Sequence, residues 1–174
     1  MLSTAVVYAA RSAGRVPDGW RECREWRMQF NGTVEIAAPR DRVWAFLMDP
    51  NAVGTCGPGV ESIEVVDADH FKVRAKVGVG FISARFAVEM TIAQREEPDL
   101  AILRAHGQAP GSAVDATADM RLSGPDAGPT TMAWSADVMI AGTLASVGAR
   151  MIEGTARKMI DQTFACIRAK LEAG

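Results

Sequence analysis

The stretch LASVGARMIEGTARKMIDQTFACIRAKLE, residues 144–172, brings an apolar side chain round every three or four positions. Val147, Met151, Ile152, Thr155, Ala156, Met159, Ile160, Thr163, Phe164, Ile167 and Leu171 fall on one stripe. Arg157, Lys158, Asp161, Arg168 and Lys170 take the other side. That period predicts one long amphipathic helix over 144–172. A helix of this kind must bury its stripe against another element, and the sequence ahead of it reads as strands.

Immediately upstream, Thr130–Ile140 alternates Met132, Trp134, Ala136, Val138 and Ile140 with Ala133, Ser135 and Asp137. A period of two is the signature of a half-buried strand. The same reading gives strands at Ser112–Leu122, Leu100–Gln108, Phe81–Arg95, His70–Val77, Val60–Val66 and, first in the chain, Gln29–Ala37. Turn chemistry separates them: Gly78-Val79-Gly80, Pro98-Asp99, Pro110-Gly111 and the run Gly124–Pro129. After the first strand, Pro39 opens a short helix through Val43, Trp44, Phe46 and Leu47, and Asp49-Pro50 stops it. The expected fold is α+β: a curved antiparallel sheet of about seven strands around a long C-terminal helix, with short helices after strand one.

The chain has 174 residues, enough for one domain, expected over 28–174. Residues 1–27 carry Arg11, Arg15, Arg21, Arg24 and Arg27 without clear periodicity and are expected to form a mobile extension. The net charge of −2 gives no electrostatic reason to bind nucleic acid, or an anionic membrane strongly. No apolar run approaches the ~18 residues that a membrane helix needs. The three cysteines, Cys23, Cys56 and Cys166, are scattered and read as reduced thiols of a cytoplasmic protein. The two histidines, His70 and His106, fall on wet registers or at turns. No metal site is expected from so little raw material.

Alternation names the inner wall. Ala101, Leu103, Ala105 and Gly107 face inward on one strand, and Val114, Ala116, Ala118, Met120 and Leu122 on the next. None of these, nor the inward set of Thr130–Ile140, is ionisable. General acid–base work needs a titratable side chain aimed at the substrate, so no catalytic residue is assigned. The expected ligand-binding lining is Phe71, Val73, Phe86, Val88, Met90, Leu103, Ala105, Ala116, Ala118, Met120, Trp134, Ala136 and Val138 from the sheet. Gly148, Met151, Ile152, Thr155 and Met159 complete it from the helix. Cys56, Pro58, Gly78 and Gly80 are expected at a cavity mouth. The loop Gly54–Gly59 is no phosphate cradle, since it lacks the lysine and the following helix. Alanine and glycine recur where Leu or Phe would fill space. They either leave room for a guest or let the helix pack closely, and the residues alone leave both open. The polar groups nearest an enzyme's needs are Thr155, Thr163 and Glu153.

Ala38-Pro39 with Val43-Trp44-Ala45-Phe46-Leu47-Met48-Asp49-Pro50 resembles the opening of START-like, helix-grip (SRPBCC, polyketide cyclase-related) domains. Cys56-Gly57-Pro58-Gly59-Val60-Glu61-Ser62-Ile63, Val77-Gly78-Val79-Gly80 and Gly142–Ile152 are similar, in order and spacing, to the CoxG family, the G subunits of carbon monoxide dehydrogenase. The resemblance covers about residues 28–172. It implies a helix-grip fold with an internal apolar cavity and no covalently bound cofactor. It implies a quinone or lipid as ligand, and a CO dehydrogenase-type molybdenum hydroxylase as partner. It implies a cytoplasmic protein, peripheral at the inner membrane. Some members carry a C-terminal linker and membrane-binding tail; this sequence ends at Gly174. A START-like enzyme of the cyclase or dehydratase type, and a ligand-free maturation or docking chaperone, are the alternatives.

Overall fold

The computed structural model describes residues 25–173. Cys23 and the rest of residues 1–24 lie outside the described residues. The element order is β1 (Glu25–Ile36), α1 (Arg40–Met48), α2 (Pro50–Gly54), β2 (Val60–Val65), β3 (His70–Val79), β4 (Ile82–Glu96), β5 (Leu100–Ala109), β6 (Ser112–Ser123), β7 (Thr130–Gly142), a 3-10 turn (Thr143–Val147) and α3 (Ala149–Glu172). One seven-stranded antiparallel sheet runs in the order β1-β7-β6-β5-β4-β3-β2. The expected α+β architecture is what the chain adopts.

Local chemistry sets most boundaries. Asp49 ends α1 and caps α2, its carboxylate accepting from the Asn51 and Ala52 amides at 2.9 and 3.3 Å. Pro50 fits the first turn of α2 because its missing N–H is not needed there. At one end of the sheet, the Thr130 hydroxyl, fully buried, donates to the Ala38 carbonyl at 2.7 Å and ties β7 to the entry of α1.

Several expectations are corrected. β1 begins at Glu25, ahead of Gln29, because β7 is long enough to pair with it: Trp26 lies opposite Ile140, and its indole N–H donates to the Ala145 carbonyl at 2.9 Å. Trp26 and Arg27 are therefore sheet residues and not extension. The C-terminal helix is not continuous over 144–172. Gly148 has φ +96°, a left-handed value that a side chain would resist, and it separates the 3-10 turn from α3. The first tight turn is also displaced. Val79 still pairs with Ile82, so Gly80 and Phe81 form the two-residue tip, with Gly80 at φ +60°.

The cysteines depart furthest from expectation. Cys56, 5% exposed in the loop after α2, is disulfide-bonded to Cys166 on α3, with a Cα–Cα distance of 5.4 Å. The pair is separated by 110 residues, and only the return of α3 across the sheet makes them neighbours. The inference from reduced thiols to a cytoplasmic compartment therefore falls.

Candidate ligand-binding interior

The interior holds three buried clusters, and partly buried apolar residues of the sheet and of α3 pack against them. At one end Val79, Phe86, Ile140, Leu144, Ala145 and Ile152 form a buried cluster. At the other, Phe30, Val34, Met132, Leu122, Ile167 and Leu171 belong to a larger one that includes α1. On α3, Ile152 is 3% exposed and Ile167 is 1% exposed. Ala156, Met159 and Thr163 lie between them towards the same side and are only half-buried.

The sheet repeats this pattern. Ile140 and Met132, near the two ends of β7, are buried, whereas Ala136 and Val138 between them are half-buried. Register gathers the small residues into one floor. Ala105 faces Ala116, Ala116 faces Val138, and Ala118 faces both Leu103 and Ala136. Met90 opposite Ala105, and Met120 opposite Trp134, border that floor with flexible apolar side chains. The backbone of α3 approaches β1 and β3 more extensively than the strands between them.

The sequence-predicted lining residues distribute accordingly. Phe71, Val73, Phe86, Trp134 and Ile152 are buried. Val88, Met90, Leu103, Ala105, Ala116, Ala118, Met120, Ala136, Val138, Gly148, Thr155 and Met159 are half-buried. Met151 is the exception: it is 47% exposed and turned away from the stripe of Ile152 and Ile167. The four residues expected at one mouth are not brought together. Cys56 is tied to Cys166, while Gly80 lies against Met151, about 22 Å further along α3 at 1.5 Å per residue. Pro58 is half-buried beside Cys56 in sequence, and Gly78 is an exposed residue within β3.

Two aromatic residues of this region were open to the same reading but fell outside the predicted set. Phe30 lies opposite Ala136 in the β1–β7 ladder. Phe164 packs on Trp134 with ring centroids 5.1 Å apart. Both sit on the predicted strand alternation or helix stripe. Trp134 itself is held by Gly32, directly opposite, where a Cβ would stand 3.1 Å from the indole. Its Nε1 is buried and unpaired, a donor left without an acceptor in a wall otherwise free of polar demand.

Chemistry lies away from this space. Glu153 is held by Arg157 at 2.7 Å, and the Thr163 hydroxyl donates to the Met159 carbonyl at 2.8 Å. His106 pairs with Asp115 at 2.5 Å on the outer face of the sheet. That outer face carries a groove of about 390 Å³ lined by Arg27, Glu89, Arg104, His106, Asp115 and Asp137, and bordered also by Ala105, Ala116 and Val138. The carboxyl groups of Asp67 and Glu172, both held below their ordinary range, also lie outside. Backbone donation from Asp69, with help from His70, lowers the Asp67 carboxyl, and donation from Ala37 lowers that of Glu172. Among the described residues no helix is long and apolar enough to cross a membrane.

The fold is shared with solved structures. A conserved protein from Geobacillus kaustophilus superposes with a TM-score of 0.78 at 23% identity, over 84% of this chain and 96% of that one. The Zhui aromatase/cyclase from Streptomyces sp. R1128 does so with a TM-score of 0.63 at 18% identity, over 84% and 94%. A START superfamily protein from Mycobacterium smegmatis gives 0.64 at 12% identity, over 83% and 97%. No curated protein matches the chain. At these identities the likeness is one of fold, and it makes the architecture START-like. The family model for CoxG, the G subunit of carbon monoxide dehydrogenase, matches residues 32–172, from mid-β1 to the last turn of α3, and this chain belongs to that family.

Proposed function

We propose that this chain is a non-catalytic accessory protein that holds an apolar ligand, a quinone or a lipid, beneath α3. It would serve a CO dehydrogenase-type molybdenum hydroxylase, peripherally at the membrane where such cargo dissolves. One observation carries the reading: the middle of the inner wall is apolar, uncharged and only partly buried, with Ala105, Ala116, Ala118 and Ala136 where larger side chains would fill space. Apolar surface left uncovered at the centre of a fold is costly unless something occupies it, and the lining fits a hydrocarbon guest. Family membership supports the partner.

The test is native mass spectrometry, with solvent extraction, of protein purified without denaturant. A co-purified isoprenoid or other lipid supports the reading. An interior that takes up no quinone or lipid on titration rejects it.

A START-like enzyme is the second reading, favoured by the fold shared with an aromatase/cyclase. It would need a polar group free to act inside. Glu153 is engaged by Arg157, and Thr163 by its own helix. Turnover lost on Thr155→Val would favour the enzyme over the carrier.

A further inference from the structure

The run from Asp49 to His70 holds α2, its glycine-rich loop and the edge strand β2, and Cys56 is its only buried residue. β2 has a neighbour on one side alone, β3. The backbone hydrogen bonds of α2 and the loop are mostly internal: the Val53 amide donates to Asp49, Cys56 to Val53, Gly57 to Gly54 and Val60 to Gly57. The Gly59 carbonyl accepts from the Lys76 amide, and Glu61 pairs with Arg85, so the second half of the run is held to β3 and β4. The first half meets α3 through the Cys56–Cys166 bond and through the Lys170 ammonium, which donates to the Thr55 hydroxyl. Val53 and Ile63 add partly buried contacts. A segment with so little buried surface opens at a small free-energy cost unless something pins it.

The pin lies beside the proposed ligand site. Thr155, Met159 and Cys166 are spaced by four and seven residues, so they follow one line along α3. Thr155 and Met159 are half-buried members of the expected lining, and Cys166 is half-buried in turn. The run from Asp49 thus bridges the β2 edge of the sheet to α3 on that side of the helix.

We propose that the Cys56–Cys166 bond is a redox latch on a flap formed by residues 49–66, and that its reduction by a dithiol opens a ligand passage between α2 and α3. The chemistry is thiol–disulfide exchange. A thiolate of the dithiol attacks the sulfur of Cys166, the less buried partner, and forms a mixed disulfide; the Cys56 thiolate leaves and takes up a proton. The second thiol of the reductant then attacks the mixed disulfide and releases the Cys166 thiolate, which is protonated in turn. Two electrons and two protons pass to the protein, and the dithiol leaves as a disulfide. Access at Cys166 is what a reductant needs, and a bond buried at both partners would lack it. Closed, the bond holds the flap on α3 and retains the guest. Open, the flap keeps its attachment to β3 at the far end, and the guest exchanges. The passage rests on the ligand site proposed above; the latch itself does not.

The experiment is hydrogen exchange at short times, read by mass spectrometry, on oxidised protein, on protein reduced with dithiothreitol and on the Cys56→Ser, Cys166→Ser variant. The same samples are loaded with cis-parinaric acid, a fluorescent fatty acid that dithiothreitol leaves intact, and its transfer to phosphatidylcholine vesicles is timed. In the reduced protein and the variant, peptides over 50–66 should exchange about tenfold faster or more, while those of β5–β7 keep their protection. Transfer of the fatty acid should speed up by a similar factor, and reoxidation of wild type should restore both rates. A loss of overall stability on reduction is common to a latch and a brace, and short-time exchange separates them. Equal short-time exchange over 50–66 in oxidised and reduced protein overturns the latch, as does protection lost from β5–β7 to the same extent. Faster exchange over 50–66 with unchanged transfer overturns the passage. Protein that takes up no cis-parinaric acid in any state removes the ligand site and with it the passage, while exchange still decides the latch.

Discussion

Ala118 stands directly opposite Ala136 across the β6–β7 ladder, on the face towards α3, and both are half-buried. Two methyl groups thus occupy the middle of a sheet whose ends hold Met132, Ile140 and Phe86. Small residues can serve close packing only if the facing element comes near. Here Ala156 and Thr163, central on α3, are half-buried like the alanines. The residues alone leave close packing and cavity open, and the proposed ligand site takes the cavity.

Gly32→Ala should reduce stability by about 1–3 kcal/mol, the usual cost of forcing atoms into a filled site. The added Cβ would meet Trp134 Nε1 and Cζ2 at 3.1 Å, and the Phe164 ring limits the indole's retreat. Urea unfolding measures the loss, and a shifted tryptophan emission should accompany it. An unchanged midpoint would mean that the Trp134 pocket yields freely.

Strand registers were legible because one face of each strand is wet. Asp115, Asp119 and Arg121 fix the parity of β6, and every inward residue of β5–β7 follows from such markers. The break at Gly148 was not legible. Stripe residues continue on both sides of it, and only its φ of +96° reveals a purpose other than compact packing. The Gly80-Phe81 turn was displaced because three candidate residues, Gly78, Val79 and Gly80, could each have held the corner, and ladder pairing decided among them. The disulfide was illegible for a different reason: local patterns carry no information on contacts 110 residues apart. Half-burial of the central alanines is likewise a tertiary property, set by where the helix rests.

Reduction of the Cys56–Cys166 bond should lower the unfolding free energy by about 2–5 kcal/mol, since it releases a long closed loop in the unfolded chain. The Cys56→Ser, Cys166→Ser double variant should show the same loss and no further response to reductant. Thiol titration of the native protein that finds Cys56 and Cys166 free would contradict the bond.

Acidification should remove one tie between the residue that follows β1 and the end of α3. The Glu172 carboxylate accepts from the Ala37 amide at 3.1 Å, and that bond, with smaller help from Arg168 against opposing desolvation, holds its pKa below the ordinary value of 4.5. A folded pKa that is depressed means stabilisation fully present above the ordinary value and lost as pH falls through the folded one. Wild type should therefore melt above Glu172→Gln at neutral pH, and the two should converge in acid. Parallel melting curves at every pH would show that the bond contributes nothing.

Ala118→Leu, followed by equilibrium unfolding of ligand-free protein, tests the proposed apolar space beneath α3 most directly. In an open space the added methylenes bury apolar surface at about 0.8 kcal/mol each, so stability should hold or rise while quinone or lipid uptake falls. In a close-packed core the same substitution overfills the site. A loss of about 1–3 kcal/mol would contradict the cavity.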